Sequence, residues 1–165
     1  LKKILLLSDT HGHIDNTVIK YAKMSDEIWH AGDIGDIKVT DQLKNIKPIR
    51  GVFGNIDDHI IRREFPLHNR FFCEKISVWI THIGGYPNRY HSSIRDEINN
   101  NPPKLFICGH SHILKVMHDK KLDLLHMNPG AIGKVGFHRV RTMLSFIIDG
   151  DDIQKLQVIE IPRDV

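Results

Sequence analysis

The sequence predicts an α/β fold in which two β-sheets pack together with helices outside. Three observations lead there. The first third alternates short apolar runs with stretches of helical period, the signature of βαβ units. The remainder is rich in strand-forming segments joined by turn residues. No apolar run approaches the ~20 residues of a membrane helix, although 41% of the 165 residues are hydrophobic, enough for one buried core.

The elements follow in order. Residues 2–7 read as a buried strand. It runs straight into Ser8 and Asp9 with no small-residue cleavage site, so a strand is preferred to a secretory signal. Asp9-Thr10-His11-Gly12 is a turn, and Asp15 or Asn16 caps a helix reaching about Met24. Residues 27–30 form a second strand, closed by Ala31-Gly32-Asp33. Residues 37–46 form a helix with Ile37, Val39, Leu43 and Ile46 on its apolar side, stopped by Pro48. Residues 49–53 form a third strand, ended by Gly54-Asn55. Strands linked through helices in this way run parallel and gather their outgoing loops at one edge. Residues 71–81 read as a hairpin ending at His82, residues 87–99 as a helix, and residues 105–108 as a strand closed by Gly109-His110. Two further hairpins span 113–127 and 143–161, with Asn128-Pro129-Gly130 as the turn between them. There is no repeat or linker, so residues 1–165 are expected to form a single domain.

The formal net charge is +3, too small to call for nucleic acid. Cys73 and Cys108 lie in strand-like runs and are expected to be buried thiols in a reducing cytoplasm rather than a disulfide. Twelve histidines are many for this length, and histidine is the commonest metal ligand.

Their placement carries the chemistry. The first strand is followed by Asp9 and His11, the second by Asp33, and the third by Asn55 and Asp57. The next long strand ends at His82, and the one after it at His110 and His112. Sites in α/β sheets form at the carboxyl ends of strands. Carboxylate, amide and imidazole donors suit first-row divalent cations, and the lack of ligand-like cysteines argues against a structural zinc site. Two such ions ~3.5–4 Å apart can clamp a phosphate and acidify a shared water. Singly, each residue reads as a turn or cap; together, in order, they have no purely structural explanation.

This set closely resembles the calcineurin-like metallophosphoesterases. It comprises Asp9-Thr10-His11-Gly12, Gly32-Asp33, Gly54-Asn55-Ile56-Asp57, His82 and Gly109-His110-Ser111-His112. Asn128-Pro129-Gly130-Ala131 is similar to a turn of their small single-domain phosphodiesterase branch. The resemblance implies a four-layer α-β-β-α sandwich. It implies that Asp9, His11 and His112 hold one metal, that Asn55, His82 and His110 hold the other, and that Asp33 bridges them. Hydroxide shared by the metals would attack phosphorus, with the Asn55 amide stabilising charge. Manganese is expected first, with nickel, cobalt, zinc, iron or magnesium as candidates. The partner implied is a small phosphate ester; neither a membrane nor nucleic acid is expected, and a homo-oligomer is open.

The chain departs from the family pattern twice. Ile56 stands where many members carry a proton-donating histidine, which favours diesters or activated monoesters. Asp57 beside it is the remaining catalytic candidate, equally readable with Asp58 as a helix cap. Gly84 stands where the branch often has a second histidine after His82, leaving Tyr86, Asn88 or Arg89 to shape the pocket. His59, His91 and His138 are the histidines outside the motifs expected nearest the site. Arg62-Arg63 and Arg139/Arg141 are read as solvated faces, with contact to a substrate phosphate as the alternative for either pair. The alternative function is a catalytically weak metal-binding scaffold resembling the vacuolar-sorting subunit of retromer. A nuclease is the third, with no basic groove to support it.

Overall fold

The first strand, β1 (Lys2–Leu7), shows how the layers arise. Ile4 and Leu6 point into one core and Leu5 and Leu7 into another. A strand buried on both faces reads as an unbroken apolar run, which is what residues 4–7 are. The computed structural model describes residues 1–164; Val165, included in the expected single domain, lies outside the described residues.

After β1 come α1 (Asn16–Lys23), β2 (Glu27–His30), α2 (Ile37–Lys44), β3 (Ile49–Gly51) and α3 (His59–Glu64). Then follow β4 (His68–Cys73), β5 (Ile76–Thr81), β6 (Gly85–Tyr86), β7 (Arg89–Tyr90) and α4 (Arg95–Asn100). The chain closes with β8 (Leu105–Ile107), β9 (Leu114–Asp119), β10 (Leu124–Pro129), β11 (Val140–Asp149) and β12 (Asp152–Pro162). One five-stranded sheet has the order β12-β11-β1-β2-β3 and the other β4-β5-β8-β10-β9; β6 and β7 form a small ribbon. Within the first sheet β1, β2 and β3 are parallel. Within the second, β5, β8 and β10 are parallel.

The main core lies between the sheets, where Ile4, Leu6, Trp29 and Phe146 meet Val78, Ile80, Ile107 and Met127. The first sheet's outer face packs on α1, α2 and α3 through Leu5, Leu7, Val18, Leu43 and Ile61. The second sheet's outer face packs Trp79, Phe106 and Leu124 on Ile94 and Ile98 beside and within α4. The layers therefore run α-β-β-α, as expected.

Local caps explain the helix starts. Asp15, Asp36 and Asp58 are extended and accept from Val18, Lys38 and Ile61 N–H respectively. The third helix was not expected as such, and Asp58 takes the capping role that the sequence left open. β3 ends two residues earlier than expected, at Gly51.

The largest correction concerns residues 87–99, which are not one helix. Pro87 and Asn88 occupy the corner of the β6–β7 ribbon, with Asn88 at φ 69°. Proline followed by a residue at positive φ is a type II turn, and proline at that corner mimics the first position of a helix in sequence. Helix begins only at Arg95. Arg141 is a second correction. It is fully buried, donating to the Ile132 carbonyl (2.7 Å) and the Asp15 carboxylate (2.7 Å). Cys73 and Cys108 are buried and free. Among the described residues no helix is long and apolar enough to cross a membrane.

Candidate metal centre

The loops after β1, β2 and β3 meet those after β5 and β8, because the two sheets pack face to face with the carboxyl ends of their parallel strands at the same end. Backbone bonds stitch the loops at this end. Asp9 N–H donates to Gly32 O (2.9 Å), His11 N–H to Asp33 O (3.1 Å) and Gly109 N–H to His82 O (3.0 Å). Asp9, His11, Asp33, His110 and His112 all lie at positive φ, between 47° and 72°. Non-glycine residues adopt that region at a cost and cluster in it at functional sites.

Two donor groups result. Ligand-capable atoms of Asp9, His11 and His112 lie within 4.8 Å of one another, as do those of Asp33, His82 and His110. In the first group, Asp9 Oδ1 is 3.2 Å from His112 Nε2 and 3.8 Å from His11 Nε2. In the second, Asp33 Oδ2 is 3.2 Å from His82 Nε2. The same Asp33 oxygen is 3.5 Å from His11 Nε2, so it stands between the groups. Asn55, largely exposed, brings Oδ1 to 3.1 Å from His110 Nδ1. With a proton on Nδ1 that contact is a hydrogen bond; without it, the two atoms are converging donors.

The surroundings aim these atoms. Ser8 Oγ–H (2.6 Å) and His110 N–H (3.2 Å) both donate to Asp9 Oδ2, leaving Oδ1 to face the imidazoles. Ile56 N–H donates to Asp33 Oδ1 (3.2 Å), leaving Oδ2 inward. His82 Nδ1–H donates to Ala31 O (2.7 Å), which puts the lone pair on Nε2. His30, wholly buried, accepts Gly32 N–H at Nδ1 and contacts Thr10 Oγ1 at Nε2 (3.0 Å). Asn128 Nδ2 donates to Gly109 O (3.0 Å) and Ser111 Oγ (3.1 Å), pinning the loop that carries His110 and His112. Ser8, His30 and this use of Asn128 were not legible beforehand, since their partners are remote in the chain.

Electrostatics follow from burial and proximity. Burial alone would raise the Asp9 carboxyl. His11 and His112 beside it, His82 and the Ser8 hydroxyl outweigh this and hold it well below the usual carboxylate range. The Asp9 contact raises His11 despite burial. Burial pulls His82 down, and the Asp33 and Asp9 carboxylates more than reverse it. Burial, then the charge of His82, lowers His110. Burial holds His30 down to about 3.

Asp9 Oδ1, His11 Nε2 and His82 Nε2 are buried yet have no hydrogen-bond partner among the described residues. Buried polar atoms are normally paired, and three converging orphans fit a bound cation.

Asp57 does not take the catalytic place considered for it. It is buried, and both oxygens are engaged by backbone: Oδ2 by Gly54 N–H (2.7 Å) and Ile34 N–H (3.1 Å), Oδ1 by Gly35 N–H (2.8 Å). It ties the loop after β2 to the loop after β3. Glycine is required at Gly54, where a Cβ would fall 2.0 Å from Asp33 Oδ1. Arg62 is exposed, as expected, while its Nε donates to Asp57 O (2.7 Å) and its guanidinium stacks on Phe53.

Two adjoining cavities open beside Asn55, His82 and His110. One, of about 370 Å³, is lined by Phe53, Asn55, Arg62, Leu67, His82 and His91, among others. The other, of about 290 Å³, is lined by Tyr86, Arg89, His91, Gly109, His110 and Ser111. Tyr86 and Arg89 thus face the site as considered, whereas Asn88 lines neither cavity. His138 stands edge-on to His112 with ring centroids 5.1 Å apart; His59 opens α3 and lines neither cavity.

The family described as "Calcineurin-like phosphoesterase superfamily domain" matches residues 3–151. No curated protein matches the chain in sequence. Among solved structures, a novel archaeal phosphodiesterase is 21% identical with a TM-score of 0.74, covering 96% of this chain and 99% of its own. Vps29 of Chaetomium thermophilum is 15% identical with a TM-score of 0.78, over 98% and 97%. Wild-type Vps29 of Entamoeba histolytica, in complex with zinc, is 11% identical with a TM-score of 0.75, over 98% and 99%. At these identities the structures establish a shared fold, not a shared activity.

Proposed function

Because the chain belongs to the calcineurin-like phosphoesterase superfamily, we propose that it is a phosphodiesterase dependent on two divalent metal ions. The observation that carries this reading is the pair of donor groups, with Asp33 standing between them. Asp9, His11 and His112 would hold one ion, Asn55, His82 and His110 the other, and Asp33 both. When bound, the ions supply a Lewis-acid grip on the phosphoryl group and an acidified water.

The chain's own groups do the rest. Ser8 and the His110 N–H fix Asp9, and Ala31 O fixes the His82 tautomer, so the donors need little reorganisation. The Asn55 amide has an N–H₂ group beside the oxygen that faces His110, able to donate to a phosphoryl oxygen. Substrate size follows from the two cavities. A monoester has one ester arm and a diester has two, and two adjoining cavities open beside Asn55, His82 and His110. Phe53 and Leu67 suit an apolar arm on one side, while Tyr86, Arg89 and Ser111 suit a polar arm on the other. Ile56 offers only its backbone, which again favours diesters with good leaving groups. Manganese is the first metal proposed and the cytoplasm the compartment.

Vps29 shares the fold, and one Vps29 structure contains zinc. That is the observation behind the second reading, a weakly catalytic metal-binding scaffold. One experiment separates the two. Metal-stripped protein is assayed with bis-p-nitrophenyl phosphate and p-nitrophenyl phosphate as Mn, Ni, Co, Zn and Mg are returned in turn. Asp33→Ala and His82→Ala serve as controls. Metal-dependent diester turnover, lost in both variants, supports the phosphodiesterase. Binding of two ions without turnover supports the scaffold.

A further inference from the structure

His91 lines both cavities and so stands at the divide between them. The ribbon explains how it gets there. Gly85 pairs with Tyr90, and His91 N–H donates to Gly84 O (3.0 Å), so the chain folds back and lays residue 91 beside residue 84. Gly84 itself can present nothing to the cavity. A Cβ there would come within 2.7 Å of the Phe106 ring and 2.9 Å of Cys108 Cβ, so no side chain fits. The returning strand brings His91, with Arg89, to this wall.

The ring's hydrogen bonds decide what it can offer. Ser93 N–H points at His91 Nδ1 (3.2 Å), and a backbone N–H can only donate, so Nδ1 is the accepting nitrogen. Ser93 Oγ lies 2.7 Å from the same atom and donates as well. The ring's proton is then on Nε2, the nitrogen turned away from Ser93. A ring in this tautomer offers its Nε2–H as a hydrogen-bond donor.

Resting on the phosphodiesterase reading, we infer that His91 is a substrate-binding residue whose Nε2–H donates to a phosphoryl oxygen of the ester held between the two cavities. It anchors the anion without giving up a proton, and Ser93 is the positioning residue that sets the tautomer. A donor aimed at an anionic oxygen from a fixed ring is worth more than a neutral pair.

The test uses the zinc-loaded protein, which is diamagnetic, with inorganic phosphate as the probe. In ¹⁵N spectra of the imidazoles, His91 is expected to show a protonated Nε2 that shifts on phosphate addition, while exposed His118 does not move. By calorimetry, His91→Leu is expected to weaken phosphate binding roughly ten-fold. His91→Gln, which keeps an N–H donor near the Nε2 position, should recover most of it. Zinc stoichiometry and melting temperature should match the wild type in both. Unchanged phosphate affinity in His91→Leu, or no rescue by Gln, overturns the inference while wild-type diester turnover leaves the phosphodiesterase reading standing. A wild-type protein that binds zinc but neither binds phosphate nor turns over diesters overturns both.

Discussion

His82, leaving one sheet, and Asp33, leaving the other, meet with Nε2 3.2 Å from Oδ2. Neither atom is placed by its neighbours in sequence. His82 is turned by Ala31 O and Asp33 by Ile56 N–H, so each ligand is aimed by a loop other than its own.

That dependence makes Gly54 a sensitive position. A Cβ there would fall 2.0 Å from Asp33 Oδ1 and 2.3 Å from its backbone nitrogen. Gly54→Ala is expected to displace Asp33 and reduce affinity for the second equivalent of metal at least ten-fold. Metal titration calorimetry reads this directly. Two equivalents bound at wild-type affinity would show that the loop yields at little cost.

Asp57 is expected to matter before any substrate arrives. Its oxygens accept three backbone N–H groups, and an amide in its place would turn an N–H₂ towards at least one of them. Asp57→Asn should lower the unfolding free energy of the metal-free protein by roughly 2 kcal/mol, measured by urea titration. Wild-type stability with lost turnover would return Asp57 to a direct catalytic part.

Arg141 is buried with the partly exposed carboxylate of Asp15, which also caps α1. Arg141→Met removes the charge partner and the bond to Ile132 O together. A loss of about 3 kcal/mol is expected, since breaking a buried pair strands its remaining groups. Thermal and urea unfolding should agree on it; a neutral result would mean that solvent fully compensates Asp15.

Acid should weaken the fold through its buried histidines. Burial holds His126 at about 4 in the folded chain, against about 6.5 when unfolded. Between those values the unfolded chain takes up a proton that the folded chain refuses. The stabilisation is therefore complete above pH 6.5 and is lost as pH falls towards 4, by on the order of 3 kcal/mol. His30, held at about 3 by burial, adds to the loss. Urea unfolding from pH 7 to pH 4 should show a shallower decline in His126→Gln than in the wild type. Equal slopes would show that His126 is protonated without cost.

The sequence by itself determined most of the strands, α1 and α2, and which residues could be donors. Hydrophobic periodicity is local, and so is the rule that loops at strand ends carry the chemistry. Residues 4–7 announce a strand buried on both faces, and Asp9, Asp33, Asn55, His82 and His110 announce themselves by following strands. The tertiary structure decided what those residues do. Pro87 and Asn88 turn a ribbon rather than open a helix, because pairing of Gly85 with Tyr90 outweighs a short segment's own preference. Asp57 and Arg141 looked like surface or site charges until their partners, Gly35 and Ile34 for one and Asp15 and Ile132 for the other, closed around them. Hydrogen-bond satisfaction in a buried place is settled by groups distant in the chain, and only packing the two sheets face to face brings those groups within reach.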